Sequence, residues 1–141
     1  MTLFKETLHW LLSSQDYDIA PLLLRVVFGA LMLTHGWAKL SDFANLSQSF
    51  SDPIGIGAKW SLMLIVFAEF FCSILLILGL LTKLAVLPLI IGMVVAAFFT
   101  YPKFTIAQSE LALLYLSVYL SIFFLGAGKY SVDSLLARWL L

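Results

Sequence analysis

Four long apolar runs, separated by short polar links, dominate this chain of 141 residues. They cover about residues 19–40, 60–81, 84–101 and 110–126. A helix needs about 20 predominantly apolar residues to cross the hydrocarbon core of a bilayer, and the runs are close to that length. The sequence therefore predicts an all-α membrane protein, a bundle of four transmembrane helices that forms a single membrane domain over residues 1–141.

The composition excludes several other classes of protein. Hydrophobic residues make up 62% of the chain and charged residues 11%, whereas a soluble domain has about 25% charged residues. The formal net charge is zero, with no basic or acidic run, so we predict no nucleic-acid partner. Cys72 is the single cysteine, which excludes an intramolecular disulfide and a CxxC motif. We also predict no metal site, because a set such as His35, Glu69 and Cys72 offers few strong ligands per helix.

Short amphipathic segments at about residues 3–12 and 131–141 predict interfacial helices at both termini. With an even number of spans, both termini lie on the same side of the membrane. That side carries Lys5, Lys83, Lys129 and Arg138, and the opposite side carries Lys39, Lys59 and Lys103. The small excess of positive charge favours termini in the cytoplasm.

Four ionisable side chains fall inside the predicted spans: Arg25, His35, Glu69 and Glu110. Each costs roughly 2.5–3.5 kcal/mol to insert, so each needs a structural partner or a function. The rise of a helix places three of them at depths where they can meet between the first two spans. We therefore expect an Arg25–Glu69–His35 polar core in which Arg25 and Glu69 neutralise each other. Such a pair either fixes helix register or handles protons and anions, and both interpretations stay open.

A second cluster lies near one end of the first span. His35, Trp37 and Lys39 fall within two helical turns, and Glu110 has a similar depth on the fourth span. Together with Glu69 they form a candidate mouth for a small polar or quinone-like ligand. The alternative is an interfacial Trp37 beside a snorkelling Lys39.

The chain resembles the DoxX family of small four-helix membrane proteins of bacteria and archaea. The resemblance extends from Pro21 to Leu136 and rests on short motifs in three parts of the chain. These are LRVVFG (24–29) and THGWAKL (34–40), AE (68–69) and LGLLTK (78–83), and GAGKYSVD (126–133).

The resemblance implies a multi-pass protein of the cytoplasmic (inner) membrane, associated with redox systems. Family members occur as small subunits of thiosulfate:quinone oxidoreductases or in complexes that handle thiols and oxidative stress. Arg25, His35, Lys39 and Glu69 match recurring polar positions of the family, but no catalytic assignment comes with them. The catalytic candidates are therefore Glu69, His35 and Arg25, taken from the residues alone.

The leading hypothesis is a DoxX-like membrane subunit of an oxidoreductase system that uses a quinone, a thiol or a sulfur compound, rather than a free-standing enzyme. The expected partners are membrane lipid and a membrane or peripheral oxidoreductase, with a homo-oligomer left open. No intrinsic cofactor is expected, and any redox cofactor is a quinone or belongs to a partner. The rival hypotheses are a small solute carrier or channel-like binding protein, and a non-catalytic membrane anchoring or assembly module.

Overall fold

The computed structural model describes residues 2–12 and 18–141, and in these residues the regular structure is helical, without strands. The prediction of an all-α protein is therefore confirmed. The elements in chain order are α1 (Thr2–Leu12), α2 (Ile19–Ser41), α3 (Phe43–Ser49), α4 (Ala58–Val66), a π-helical segment (Phe67–Cys72), α5 (Ser73–Leu78), α6 (Thr82–Phe98), α7 (Ile106–Leu125) and α8 (Val132–Leu140).

Three helices of the described residues are long and apolar enough to cross a membrane. They are α2 with 23 residues, the continuous helix Ala58–Leu78 with 21 residues, and α7 with 20 residues. The predicted third span corresponds to α6, an apolar helix of 17 residues that is shorter than the other three.

Two glycines let α2 pack closely against the helix Ala58–Leu78. A Cβ atom at Gly29 would lie 2.7 Å from Cγ1 of Ile77, and one at Gly36 would lie 2.5 Å from the backbone carbon of Glu69. Small residues allow such backbone contact, which drives helix association in lipid in place of the hydrophobic effect. The contacts also fix which residues of the two antiparallel helices lie side by side.

The antiparallel hairpin of α6 and α7 completes the bundle. The hydroxyl of Ser109 on α7 donates a 2.7 Å hydrogen bond to the carbonyl of Ala97 on α6. The phenol of Tyr119 donates across to the carbonyl of Phe28 on α2, at 3.3 Å. The core holds buried side chains from all of these helices, among them Met32, Leu76, Leu89, Tyr119 and Ile122.

Some predicted boundaries are wrong by several residues. The predicted fourth span begins at 110, but α7 begins at Ile106, because Thr105 caps it by accepting a hydrogen bond from the N–H of Gln108. The predicted third span begins at 84, but α6 begins at Thr82. The polar link between the first two predicted spans contains the short helix α3.

The loop before α4 is held by one carboxylate. Asp52 accepts hydrogen bonds from the N–H groups of Ile56 and Gly57 and from the hydroxyl of Ser61, at 2.8 to 2.9 Å. The N–H of Gly57 contributes most to holding the pKa of Asp52 below its usual value. Asp52 thus closes the turn that leads into α4.

Helices are present at both predicted interfacial segments. The N-terminal helix α1 (Thr2–Leu12) includes the whole of the predicted segment 3–12, and α8 begins directly after Ser131. The Ser131 hydroxyl accepts a 3.1 Å hydrogen bond from the N–H of Ser134, as expected for an N-cap. Their location at the membrane surface stays a prediction.

Candidate functional site

The π-helical segment interrupts the helix Ala58–Leu78 at its middle, and Glu69 lies inside it. Glu69 is the twelfth of these 21 residues, about 16 Å along the axis from Ala58. π-Helical turns are rare and frequently occur at functional sites. Only 5% of the surface of Glu69 is exposed, so its carboxylate is buried near the centre of a helix of membrane-spanning length.

Lys39 of α2 is the partner of Glu69. The ammonium nitrogen of Lys39 lies 2.5 Å from Oε2 of Glu69, within hydrogen-bonding distance. Their side chains are 24% and 7% exposed, so the pair is open to the surface of the bundle on the Lys39 side only. Among the described residues this is the one ion pair between side chains.

Aromatic groups line the α7 side of this pair. The ring of Tyr115 meets the ring of His35 edge to face, with centroids 6.1 Å apart, and meets Phe28 in the same way at 5.8 Å. Tyr115 is buried, and the exposed His35 that it meets lies one helical turn before Lys39 on α2. The site therefore combines an ammonium, a carboxylate, an imidazole and a phenol. We call these four residues, Lys39, Glu69, His35 and Tyr115, the central site.

The other two residues of the predicted mouth lie outside the central site. Trp37 is 58% exposed, and its ring is 6.1 Å from that of Phe70. Glu110 is exposed on α7, five residues before Tyr115. The structure therefore pairs Lys39 with Glu69 and sets His35 against Tyr115, places Trp37 on a neighbouring surface, and leaves Glu110 outside the ion pair.

The predicted neutralisation of Glu69 by Arg25 is wrong. Arg25 is fully buried, and its guanidinium donates to the carbonyls of Leu76 and Ile77, both at 3.4 Å, and of Tyr130 at 2.6 Å. The first two carbonyls belong to the last turn of α5, where helix carbonyls lack partners within the helix. A cation is also favoured there by the helix dipole. Arg25 therefore joins the ends of three chain segments.

The reason for the error is the register of α2 against the antiparallel helix Ala58–Leu78. Gly36 lies opposite Glu69, and Gly29 lies opposite Ile77. Arg25 is 11 residues before Gly36, which places it about 16 Å from the level of Glu69. Lys39, three residues after Gly36, is within reach. The predicted Arg25–Glu69–His35 polar core is thus two separate groups.

Asp133 of α8 binds the turn that Arg25 supports. Its two carboxylate oxygens accept hydrogen bonds from the N–H groups of Leu81 and Thr82, at 2.7 and 2.9 Å, and its own N–H donates to the carbonyl of Gly79. Asp133 also interacts electrostatically with Arg25. Since Asp133 caps the first N–H groups of α6, this helix begins earlier than its own sequence indicates.

Gly79 makes the approach of Arg25 possible. It has a φ of +69°, and a Cβ atom there would collide with the Arg25 guanidinium and lie 2.6 Å from the Cβ of Ser131. Any other residue would fill the space that holds the arginine. The arrangement of Arg25, Gly79 and Asp133 is thus explained by helix packing, and we assign it no chemistry.

Sequence reasoning missed Tyr115 and the partner of Glu69. Tyr115 and Tyr119 are four residues apart and so share one face of α7, which was a usable signal for a buried polar stripe. Cys72 is buried, as expected for a packing residue. The described residues contain no group of three or more His, Cys, Asp or Glu side chains that could hold a metal ion.

Comparison with known proteins gives one family and one similar protein. The family model DoxX matches residues 20–102, a region that includes Arg25, Lys39 and Glu69 but not Asp133. An uncharacterised protein of Haemophilus influenzae is 38% identical over 120 residues, covering 79% of this chain and 86% of its own length. No solved structure matches the chain significantly. With more than half of its residues matched by the family model, this chain belongs to the DoxX family.

Proposed function

We propose that this DoxX-family protein is the membrane subunit of an oxidoreductase system, and that the central site receives the ligand and handles its protons. The observation that carries the proposal is the Lys39–Glu69 ion pair in a π-helical segment, at the middle of a membrane-spanning helix. Ionisable groups at that depth are rare and are functional candidates by default. The π-helical segment supports the same interpretation, because such turns frequently occur at functional sites.

The two charges of the pair have different access to the surface. Glu69 is nearly enclosed, whereas Lys39 is 24% exposed. A ligand approaching from the membrane therefore meets the ammonium group first. A ligand oxygen that takes the place of Glu69 on Lys39 would leave the buried carboxylate without its counter-ion.

The side chains of the central site fit a quinone as well as a thiol or a sulfur anion. When bound, a quinone supplies electron and proton transfer. Lys39 would donate a hydrogen bond to an oxygen of the ligand, and His35 and Tyr115 would contact its edge. The same ammonium would attract a thiolate or a sulfur oxyanion. Electrons would be exchanged with a membrane or peripheral oxidoreductase partner.

We also propose that α6 crosses the membrane as well, which makes four spans, and that both termini lie in the cytoplasm. The helix has 17 residues, or about 26 Å, against a hydrocarbon core of about 30 Å. Local thinning of the bilayer is enough to accommodate a helix of that length. With an even number of spans, α8 lies on the same side of the membrane as the start of α2.

The test uses membrane vesicles from a bacterial strain that lacks its own copy and expresses the full chain. Quinone reduction is followed by absorbance while a thiol or thiosulfate is supplied as reductant. We expect Glu69→Gln to lower the rate about a hundredfold, as for loss of a group that transfers protons. Lys59→Met is the matched control, since Lys59 is exposed at the same end of the bundle, and its rate should equal that of the wild type.

Unchanged rates in Glu69→Gln vesicles would refute the proposal. A second measurement separates it from the carrier hypothesis. Proteoliposomes of the purified chain are supplied with a labelled thiol or sulfur anion. Accumulation of the label, together with no quinone reduction in the vesicles that contain the wild-type chain, would indicate transport instead.

A further inference from the structure

The two ends of the bundle differ in charge. The end formed by the α5–α6 turn, the α7–α8 connection and α8 carries Arg25, Lys83, Lys129 and Arg138 against Asp18 and Asp133. The opposite end carries Lys59 and Lys103 against Asp42, Asp52 and Glu110, and Lys39 is paired with Glu69, which lies further inside the bundle. Cations are thus in excess at the first end and carboxylates at the second.

We propose that Lys83, Lys129 and Arg138 form a docking surface for the headgroups of anionic phospholipids. We call these three residues the basic cap. All three side chains are exposed, and among the described residues none of them forms an ion pair. Anionic headgroups attract such exposed cations next to transmembrane helices. The inference does not depend on the central site.

The three cations belong to elements that meet at one end of the bundle. The side chain of Lys83 reaches the turn at Gly126, where its Cε would lie 3.9 Å from a Cβ atom, and Lys129 follows three residues later in the same connection. Arg138 lies in the last turn of α8, the helix that Asp133 bonds to the turn preceding Lys83. The basic cap therefore extends from the α5–α6 turn along α8.

Asp133 does not neutralise this surface. Both oxygens of Asp133 accept hydrogen bonds from backbone N–H groups of the α5–α6 turn, and its charge acts on the buried Arg25. Asp133 is therefore committed to holding α8 on the bundle. The three exposed cations are left to an external anion.

The apolar side chains of α8 indicate that this anion belongs to a lipid. Leu135, Leu136, Trp139 and Leu140 are between 41% and 87% exposed, and Trp139 is the most exposed of them. A short helix with exposed leucines, a tryptophan and an arginine is typical of the interface between headgroups and acyl chains. A lipid supplies both the apolar cover and the negative charge.

The experiment is native mass spectrometry of the full chain in detergent, titrated with phosphatidylglycerol or with phosphatidylcholine of the same acyl chains. We expect the wild type to bind phosphatidylglycerol at least tenfold more tightly. Each of Lys83→Gln, Lys129→Gln and Arg138→Gln should weaken that binding about fivefold. The triple variant should bind the two lipids equally. The matched control is Lys59→Gln/Lys103→Gln at the opposite end, which should keep the preference.

Equal binding of the two lipids by the wild type would overturn the proposal and assign the basic cap to another occupant, such as a protein. A triple variant that keeps the preference would also overturn it. Inorganic phosphate that competes as well as phosphatidylglycerol would show a simple anion site without lipid recognition, which contradicts the inference. Unchanged phosphatidylcholine binding by the triple variant shows that a loss of preference is not a loss of fold.

Discussion

The Lys39–Glu69 ion pair leads to a prediction about stability in which the two single variants differ. Breaking a buried ion pair by removing one partner costs about 3–5 kcal/mol, because the other charge stays buried without compensation. Glu69 is enclosed, with 7% of its side chain exposed, whereas the side chain of Lys39 is 24% exposed. Lys39 also lies two residues before the end of α2, where a lysine side chain can turn toward water.

The two variants therefore leave different charges behind. Lys39→Met leaves the enclosed carboxylate of Glu69 and should lower the free energy of unfolding by about 4 kcal/mol. Glu69→Gln leaves a lysine that can reorient, and should cost about 3 kcal/mol. The double variant removes both charges, and a coupling energy of about 3 kcal/mol would make it no less stable than Lys39→Met alone.

The assay is reversible unfolding of the purified chain in mixed dodecyl maltoside and SDS micelles, followed by circular dichroism. The control is Lys59→Met, an exposed lysine at the same end of the bundle, which should change stability by less than about 0.5 kcal/mol. Additive effects of the two single variants would refute the reasoning. Single variants no more destabilising than Lys59→Met would do the same.

Three further predictions use the same purified chain. Gly36→Ala places a methyl group against the backbone of the π-helical segment and should lower the free energy of unfolding in SDS by about 3 kcal/mol. The methyl group of Gly92→Ala meets only the flexible end of a side chain, so an equal loss of stability in the two variants would contradict this prediction. Arg25→Met should lower the free energy of unfolding by about 3 kcal/mol and Asp133→Asn by about 1 kcal/mol. Thermal melting that ranks the two variants in the reverse order would be evidence against the structural role given to Arg25. Because the pKa of Asp52 is lowered in the folded state, the stabilisation that its carboxylate provides is present above about pH 4 and is lost as pH falls through the folded-state pKa. Amide hydrogen exchange in the loop before α4 should therefore become faster as pH falls below that value, after correction for the intrinsic exchange rate, and Asp52→Asn should not show this change.

The sequence was sufficient for features that depend on neighbouring residues. The long apolar runs indicated the helices, and the residue types Gly79, Gly126 and Ser131 are local signals for the helix ends at which the structure places them. The early start of α7 also had a local signal, because Thr105 and Gln108 have the spacing of a capping box. Such signals act over three or four residues and are readable without the fold.

Features that depend on distant residues could not be read in this way. The first turn of α6 is capped by Asp133, about fifty residues away in the chain, so no local pattern marks it. The partner of Glu69 depends on the register of two helices, and that register is set by the backbone contact at Gly36. Three residues of shift, or about 4.5 Å, separate Gly36 from Lys39. The candidate residues were thus predictable, but their pairing was not.

The two groups of buried charge differ in the kind of contact that holds them, and this difference bears on function. Arg25 is enclosed, its contacts are backbone carbonyls that cannot leave, and the carboxylate acting on it is bonded to the same turn. Lys39 and Glu69 depend on one contact with each other, and one of them reaches the surface. A ligand that opens this pair has to satisfy the ammonium itself and leaves the carboxylate without its counter-ion. The central site therefore offers a contact that a ligand can replace, whereas the backbone contacts of Arg25 offer none.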